Sequence, residues 1–218
     1  MMVNDAYRNQ SHANEKLTFH EIFHSYFPFY TGLNETKYAW MDEGLTSFAD
    51  SRYMESKKAD TYTFFYFHHV YRDIIGDHSD LPIFAQYNLI RSPSYYGNAY
   101  SKAAVLFMTL ENYIGPSLFK QGIQAFVSTW KHKHPTPYDL IHILERISGK
   151  ELNWILKPWL FSYGYVDLAI EKIVKSSSVL EITVLRKGLY PVPVLLTVFF
   201  RDGTTKRINR NVSVWQQG

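Results

Sequence analysis

The spacing of the apolar residues changes from a helical to a strand period near Tyr165, and this change constrains the fold most. Before it, apolar residues recur every three or four positions, most clearly over Tyr100–Ile114, as on the buried face of a helix. After it, apolar and polar residues alternate over Val166–Glu171, which is the period of a β-strand. Helices followed by strands predict an α+β chain, with a mainly α domain over residues 1–164 and a small antiparallel, β-sandwich-like domain over residues 165–218.

Glycine and proline residues mark the ends of the predicted helices. Gly115-Pro116 is expected to end the first helix and to start the next, because proline suits the first helical position. The helical period resumes over Tyr138–Ser148, and Gly149 follows as a cap. The short aromatic segment Leu152–Phe161 contains Pro158, which we expect to interrupt it.

The second part of the chain reads as strands joined by turns. Val179–Leu185 and Val192–Phe200 are predicted strands, and Arg201-Asp202-Gly203 is a typical hairpin turn. The strands after this turn are expected to run to the end of the chain.

Composition excludes several functional classes. The chain has 218 residues and no cysteine, which rules out disulfides, thiolate nucleophiles and cysteine-ligated metal clusters. A net charge of +3 without clustered Lys and Arg does not indicate a nucleic-acid partner. There is no apolar run of about 18 residues to span a membrane, and residues 1–16 lack the apolar segment of a signal peptide. We expect a fragment whose natural start lies upstream; no compartment or oligomeric state is indicated.

The segment His20-Glu21-Ile22-Phe23-His24 has the pattern H-E-x-x-H. On a helix, residues four apart share a face, so both imidazoles can reach one metal ion. Leu17, Ile22, Phe23 and Phe27 are expected to form an apolar flank of that helix. Glu21 then lies beside the ion, where a carboxylate can take a proton from water and pass it to a leaving amine.

A third metal ligand is predicted in the next segment. Eighteen residues separate His24 from Glu43, which stands within Asp42-Glu43-Gly44. A catalytic zinc site takes three protein ligands and one open position, and two histidines with one glutamate are a known set. A helix beginning near Asp42 would return Glu43 to the ion. The sequence therefore predicts one Zn²⁺ held by His20, His24 and Glu43.

These motifs resemble those of the gluzincin metallopeptidases of the aminopeptidase N and leukotriene hydrolase family. The family usually reads Asn-Glu-Gly at the third ligand, where this chain has Asp-Glu-Gly. It also has a Tyr-x-Lys-Gly stretch at the start of a helix, and this chain has Tyr100-Ser101-Lys102-Ala103. The resemblance implies that the hydroxyl of Tyr100 stabilises the oxyanion of the reaction, with Tyr95 and Tyr96 as close rivals. It further implies a peptide substrate, a thermolysin-like helical catalytic domain and a junction into a β-sandwich domain near Trp159–Tyr165.

Two departures from the family pattern affect the substrate cleft. After the second histidine the family commonly reads Gln-Trp-Phe-Gly-Asn, whereas this chain has Ser25-Tyr26-Phe27-Pro28-Phe29. The Gly-x-Met-x-Asn strand that binds the substrate amine in the family has no counterpart before His20. An aminopeptidase activity is thus implied by the resemblance, with an endopeptidase or an inert zinc-stabilised peptide-binding domain as alternatives.

Further candidates are less specific. Asp50 lies seven residues after Glu43 on the same helical face, so it is either a hydrogen-bond partner of a ligating histidine or a solvated aspartate. Asp42 is expected to cap a helix or to accept a local hydrogen bond. The pairs His68-His69 and His132/His134 lack partners at useful spacing and are expected to lie in packing or surface positions.

Overall fold

The computed structural model describes residues 11–57, 71–86, 94–177 and 179–216. The α-helices are α1 (Ser11–Phe23), α2 (Ala39–Ser56), α3 (Ala103–Ile114), α4 (Pro116–Trp130), α5 (Pro137–Ser148) and α6 (Asn153–Phe161). π-helical segments cover Ser25–Tyr30 and Tyr96–Lys102, and a 3₁₀ helix covers Val212–Trp215. The strands are β1 (Leu168–Lys175), β2 (Leu180–Arg186), β3 (Val194–Phe199) and β4 (Thr205–Arg210). The predicted order of helices followed by a small antiparallel β part is confirmed.

The predicted helix boundaries between α3 and α6 are largely confirmed. Gly115 adopts a φ of +102° between α3 and α4, which a side chain would disfavour, and Pro116 is the first residue of α4. Gly149 ends α5 in the left-handed conformation at φ +65°. At the start of α5, Thr136 and Asp139 form a reciprocal capping box that the sequence analysis did not identify.

Three local expectations are wrong. Tyr100 does not begin an α-helix, because the π-helix Tyr96–Lys102 precedes α3. Pro158 lies inside α6 without ending it, and the buried Trp159 and Leu160 that follow anchor the last turn. Ile22 is 55% exposed, so it does not belong to an apolar flank of α1.

Helices α2 and α3 form the centre of the helical part. Trp40 of α2 stacks on Phe107 of α3 with ring centroids 5.8 Å apart, and both side chains are buried. A Cβ on Gly44 would lie 2.5 Å from the Cβ of Ala103, so only glycine permits this approach of α2 to the start of α3. The close packing places the second turn of α2 directly against the π-helix that carries Tyr100.

The β part consists of two antiparallel hairpins. β1 pairs with β2, with an irregularity between Ile170 and Lys172, and β3 pairs with β4. The predicted turn Arg201-Asp202-Gly203 joins β3 to β4, and Gly203 has a φ of +86°. Within the described residues the hairpins form two separate two-stranded sheets, and the chain after β4 turns into the 3₁₀ helix instead of continuing as strands.

The β part shares a hydrophobic core with the helices. Tyr190 stacks on Trp159 of α6 with ring centroids 4.5 Å apart, and both side chains are fully buried. The indole nitrogen of Trp159 donates to the carbonyl of Pro191 at 3.2 Å. The domain boundary between residues 164 and 165 stays a prediction. Among the described helices, none is long and apolar enough to cross a membrane.

Candidate metal centre

His20, in the last turn of α1, and His24, directly after the end of that helix, present two imidazoles to the same side. His20 and His24 lie one turn apart, and the backbone N–H of His24 donates to the carbonyl of His20 at 3.2 Å. Their ring centroids are 4.7 Å apart, with the rings nearly perpendicular. Both side chains are mostly buried, at 12% and 13% exposure. The predicted juxtaposition of the two histidines is therefore present in the structure.

Helix α2 brings Glu43 to these imidazoles. Its Oε2 atom lies 3.3 Å from Nε2 of His20 and 3.5 Å from Nε2 of His24. Two ligand atoms about 2.1 Å from a tetrahedral zinc ion are about 3.4 Å apart, so these separations suit a shared ion. In the described part of the chain, His20, His24 and Glu43 are the group of three ligand-type side chains whose ligand atoms all lie within 4.8 Å. Two imidazole nitrogens and one carboxylate oxygen are a donor set that fits zinc.

A buried carboxylate orients each imidazole from behind. Nδ1 of His20 donates to Oδ2 of Asp50 at 2.8 Å, and Nδ1 of His24 lies 2.8 Å from Oδ1 of Asp42. Nδ1 of His24 also lies 2.9 Å from the carbonyl of Phe27. These contacts leave both Nε2 atoms facing Glu43, which is the orientation in which Nε2 can bind a metal once its proton is lost. Asp42 lies in the first turn of α2, after the cap residue Tyr38, and its contact is with His24, 18 residues away in sequence, and not the local one that was expected.

Burial and hydrogen bonding shift the pKa values of the groups in this cluster in opposite directions. Burial would lower the pKa of His20, but hydrogen bonds to Asp50 and Glu43 outweigh it and raise that pKa to about 9. The pKa of His24 is raised to about 11, because its bonds to Asp42 and Glu43 likewise outweigh burial. Burial raises the pKa of Asp42 to about 6, whereas the donors around Glu43 overcome burial and lower its pKa to about 2. The metal-free centre thus holds protons that a cation must displace.

Tyr100 reaches the same cluster from the π-helix. Its hydroxyl donates to Oε1 of Glu43 at 2.5 Å, and its ring lies parallel to that of His20 with centroids 6.0 Å apart. Burial and the charge of Glu43 raise the pKa of Tyr100, so the phenol stays protonated and remains a donor. The rings of Tyr95 and Tyr96 pack against Tyr100 at 5.8 and 5.4 Å. The hydroxyl contact to Glu43 places Tyr100 at the ligand-type cluster.

A cleft of about 500 Å³ opens beside the centre. Glu21 lines it together with His24 and Glu43. The sequence analysis missed Glu35, Thr36 and Ala39 as lining residues. The sequence feature that could have indicated them is their position between His24 and Glu43, in the segment that joins the two ligand motifs. The remaining lining residues are Pro28, Phe29, Asp42 and Tyr95.

The other histidine candidates lie away from this centre or outside the described residues. His132 and His134 lie between α4 and α5 and form hydrogen bonds to the segment that follows His24. The backbone N–H of His132 donates to the carbonyl of Tyr30, and Nδ1 of His134 donates to the carbonyl of Gly32, both at 2.8 Å. Both histidines are exposed, so they lie in surface positions, one of the two alternatives expected for them. His68 and His69 fall outside the described residues.

The chain is similar to known proteins in sequence and in fold. A family model described as the peptidase family M1 domain matches residues 1–159. A probable aminopeptidase 2 of Sulfurisphaera tokodaii is 36% identical over 67 residues, which is 31% of this chain and 9% of the relative.

Two solved structures share the fold. A variant of the M1 zinc metallopeptidase of Deinococcus radiodurans, bound to a Tyr-Ser-Ala substrate, matches with a TM-score of 0.59 and 18% identity. This match covers 73% of this chain and 34% of that one. Legionella pneumophila aminopeptidase A, in complex with aspartic acid, matches with a TM-score of 0.64 and 20% identity, covering 90% of this chain and 23% of that one. The chain therefore spans a minor part of each relative's length.

Proposed function

The chain belongs to peptidase family M1, and from this premise we propose that it hydrolyses peptide bonds with one zinc ion held by His20, His24 and Glu43. The observation that carries the proposal is the convergence of both Nε2 atoms on Oε2 of Glu43, at 3.3 and 3.5 Å. Asp50 and Asp42 would fix the two imidazoles in the ligating tautomer. When bound, the zinc ion would act as a Lewis acid and lower the pKa of water.

Glu21 is proposed to move the proton. It lies one residue after His20 and lines the cleft beside His24 and Glu43 without belonging to the ligand group. A carboxylate in this position accepts a proton from the attacking water and then donates it to the leaving amine. A purely structural zinc site has no use for such a base, so the presence of Glu21 favours turnover over an inert peptide-binding domain.

Tyr100 is proposed to stabilise the oxyanion. Its hydroxyl already lies at the ligand cluster, hydrogen-bonded to Glu43, and its raised pKa keeps the proton on the phenol. A neutral donor aimed at developing negative charge contributes more in the transition state than in the ground state. For Tyr95, which lines the cleft, we propose a role in forming the cleft wall and not in stabilising the oxyanion.

We propose an aminopeptidase rather than an endopeptidase mode. Besides Glu43 and Asp42, which are engaged with the metal centre, the carboxylate residues Glu21 and Glu35 line the cleft. This lining suits the cationic amine of an unblocked peptide by charge complementarity. The family relative from Sulfurisphaera tokodaii is named as an aminopeptidase, which favours the same mode.

The test compares Glu21→Gln with Glu35→Gln, two isosteric changes in one cleft, using a fluorogenic peptide with a free or an acetylated amino terminus. Glu21→Gln should keep zinc bound and lower kcat by about 100- to 10,000-fold, because the proton acceptor is lost. Glu35→Gln should mainly raise KM for the free-amine substrate. Normal turnover by Glu21→Gln would contradict the role of this residue, and equal turnover of both substrates would contradict the aminopeptidase mode.

A further inference from the structure

Lys102 carries a fully buried side chain two residues after Tyr100. Its ammonium donates to Oδ1 of Asp80 at 2.5 Å and to the carbonyl of Leu81 at 2.7 Å. It also lies 4.8 Å from the ring centroid of Tyr190, a cation–π contact. Burying a lysine is costly even when it is paired, so this arrangement calls for a reason other than stability.

Asn98 makes a second buried attachment two residues before Tyr100. Its amide nitrogen donates to the carbonyls of Ser79 and Ser94, both at 2.7 Å. Its carbonyl oxygen accepts from the backbone N–H of Leu81 at 3.1 Å. Asn98 and Lys102 thus bind the same segment, Ser79–Leu81, from two positions of one π-helix.

The π-helix between these attachments is held closely on two sides. A Cβ on Gly97 would lie 2.4 Å from Cδ1 of Ile74, and a Cβ on Gly44 would lie 3.2 Å from the carbonyl of Ala99. π-helical turns are rare and occur often at functional sites. Tyr100 lies within this turn, so the buried attachments determine where its hydroxyl points.

We propose that Lys102 is a positioning residue for Tyr100: tied to Asp80, Leu81 and Tyr190, it fixes the π-helix so that the Tyr100 hydroxyl lies at the ligand cluster. The catalytic consequence of this inference rests on the proposed function. The positioning of Tyr100 by Lys102 does not depend on it. Tyr190 belongs to the segment between β2 and β3, so the β part contributes to the position of a cleft residue through Lys102.

The experiment follows the position of Tyr100 directly. 3-Fluorotyrosine is placed at residue 100 of the full chain, and its ¹⁹F resonance is recorded with and without zinc. Lys102→Met keeps the length of the side chain and removes its charge. It should broaden or shift the resonance, lower kcat about 10- to 100-fold with little change in KM, and leave zinc content unchanged. In a Tyr100→Phe background, Lys102→Met should change kcat by less than about twofold, because the two residues act as a unit.

Matched variants separate positioning from general destabilisation. Leu144→Ala creates a cavity between α4 and α5, away from the π-helix, and should leave the resonance unchanged. Tyr190→Phe keeps the aromatic ring and should preserve the resonance, whereas Tyr190→Leu should alter it; this pair decides the question if Lys102→Met does not fold. An unchanged resonance in folded Lys102→Met, or in Tyr190→Leu, overturns the proposal. A shifted or broadened resonance in Leu144→Ala, like that expected for Lys102→Met, also overturns it. Absence of zinc from the unmodified chain would contradict the proposed function, while the fluorine comparison would still decide the role of Lys102.

Discussion

The carboxylate of Asp50 accepts a hydrogen bond from Nδ1 of His20 at 2.8 Å, across the interface between α1 and α2. Asp50 lies two turns after Glu43 on α2, so one helix supplies a candidate ligand and a carboxylate that orients another. The imidazole is held with Nε2 toward Glu43 before any cation arrives. A site assembled in this way requires little rearrangement to bind a metal.

Asp50→Asn should weaken zinc binding about 10- to 100-fold, because the amide no longer fixes the ligating tautomer of His20 or supports its basicity. The measurement is competition for zinc against a chromogenic chelator at fixed pH. Asp73→Asn removes an exposed carboxylate from an unrelated part of the surface and should leave zinc affinity unchanged. Equal zinc affinity in all three proteins would show that Asp50 does not support the site.

Tyr100→Phe should lower kcat about 100- to 1,000-fold while KM changes little, since an oxyanion donor acts mainly in the transition state. Tyr96→Phe is the matched control, because Tyr96 packs on Tyr100 and is 55% exposed. Steady-state kinetics with the free-amine substrate measure both variants. A larger loss of kcat in Tyr96→Phe than in Tyr100→Phe would transfer the oxyanion role to Tyr96.

The raised pKa values of His20 and His24 predict that the stabilisation by zinc increases with pH. The unfolded pKa of histidine is about 6.5, and the folded values are about 9 and 11. The stability that these imidazoles contribute to the metal-free chain is therefore fully present below pH 6.5, and it is lost as the pH rises through about 9 for His20 and about 11 for His24. Zinc needs the neutral imidazoles, so its stabilisation grows over the same interval.

Thermal unfolding with a chelator or with excess zinc, at pH values from 6.5 to 9, tests this prediction. The difference in Tm between the two conditions should widen as the pH rises. His24→Gln should flatten the decline of the metal-free chain, because it removes the group with the larger pKa shift. A difference in Tm that narrows toward alkaline pH would contradict the assigned ionisation of the centre.

The sequence predicted most of the site because its residues lie in short patterns with fixed geometry. Positions four apart on a helix must share a face, so His20 and His24 could be paired without a structure. The seven-residue spacing of Asp50 from Glu43 left two interpretations open, a partner of a ligating histidine or a solvated aspartate, and the structure shows the contact with His20. Glu35 was missed, because the path of an irregular connecting segment depends on tertiary contacts such as the bond from His134 to Gly32.

The fold was predictable in order but not in detail. The change of period separated helices from strands, since each period reflects which faces are buried. The π-helix at Tyr100 was not predictable, because its conformation depends on the distant partners Asp80 and Leu81 of Lys102. The exposure of Ile22 was missed for a similar reason: an apolar residue predicts burial only where another element covers it.

The most direct test of the account is a crystal structure of the zinc-loaded chain with anomalous diffraction recorded on both sides of the zinc absorption edge, together with metal analysis of His24→Ala. The account predicts one zinc peak within bonding distance of Nε2 of His20, Nε2 of His24 and a carboxylate oxygen of Glu43, and loss of bound zinc in the variant. A zinc peak elsewhere, no peak between these three side chains, or full zinc content in His24→Ala would contradict it.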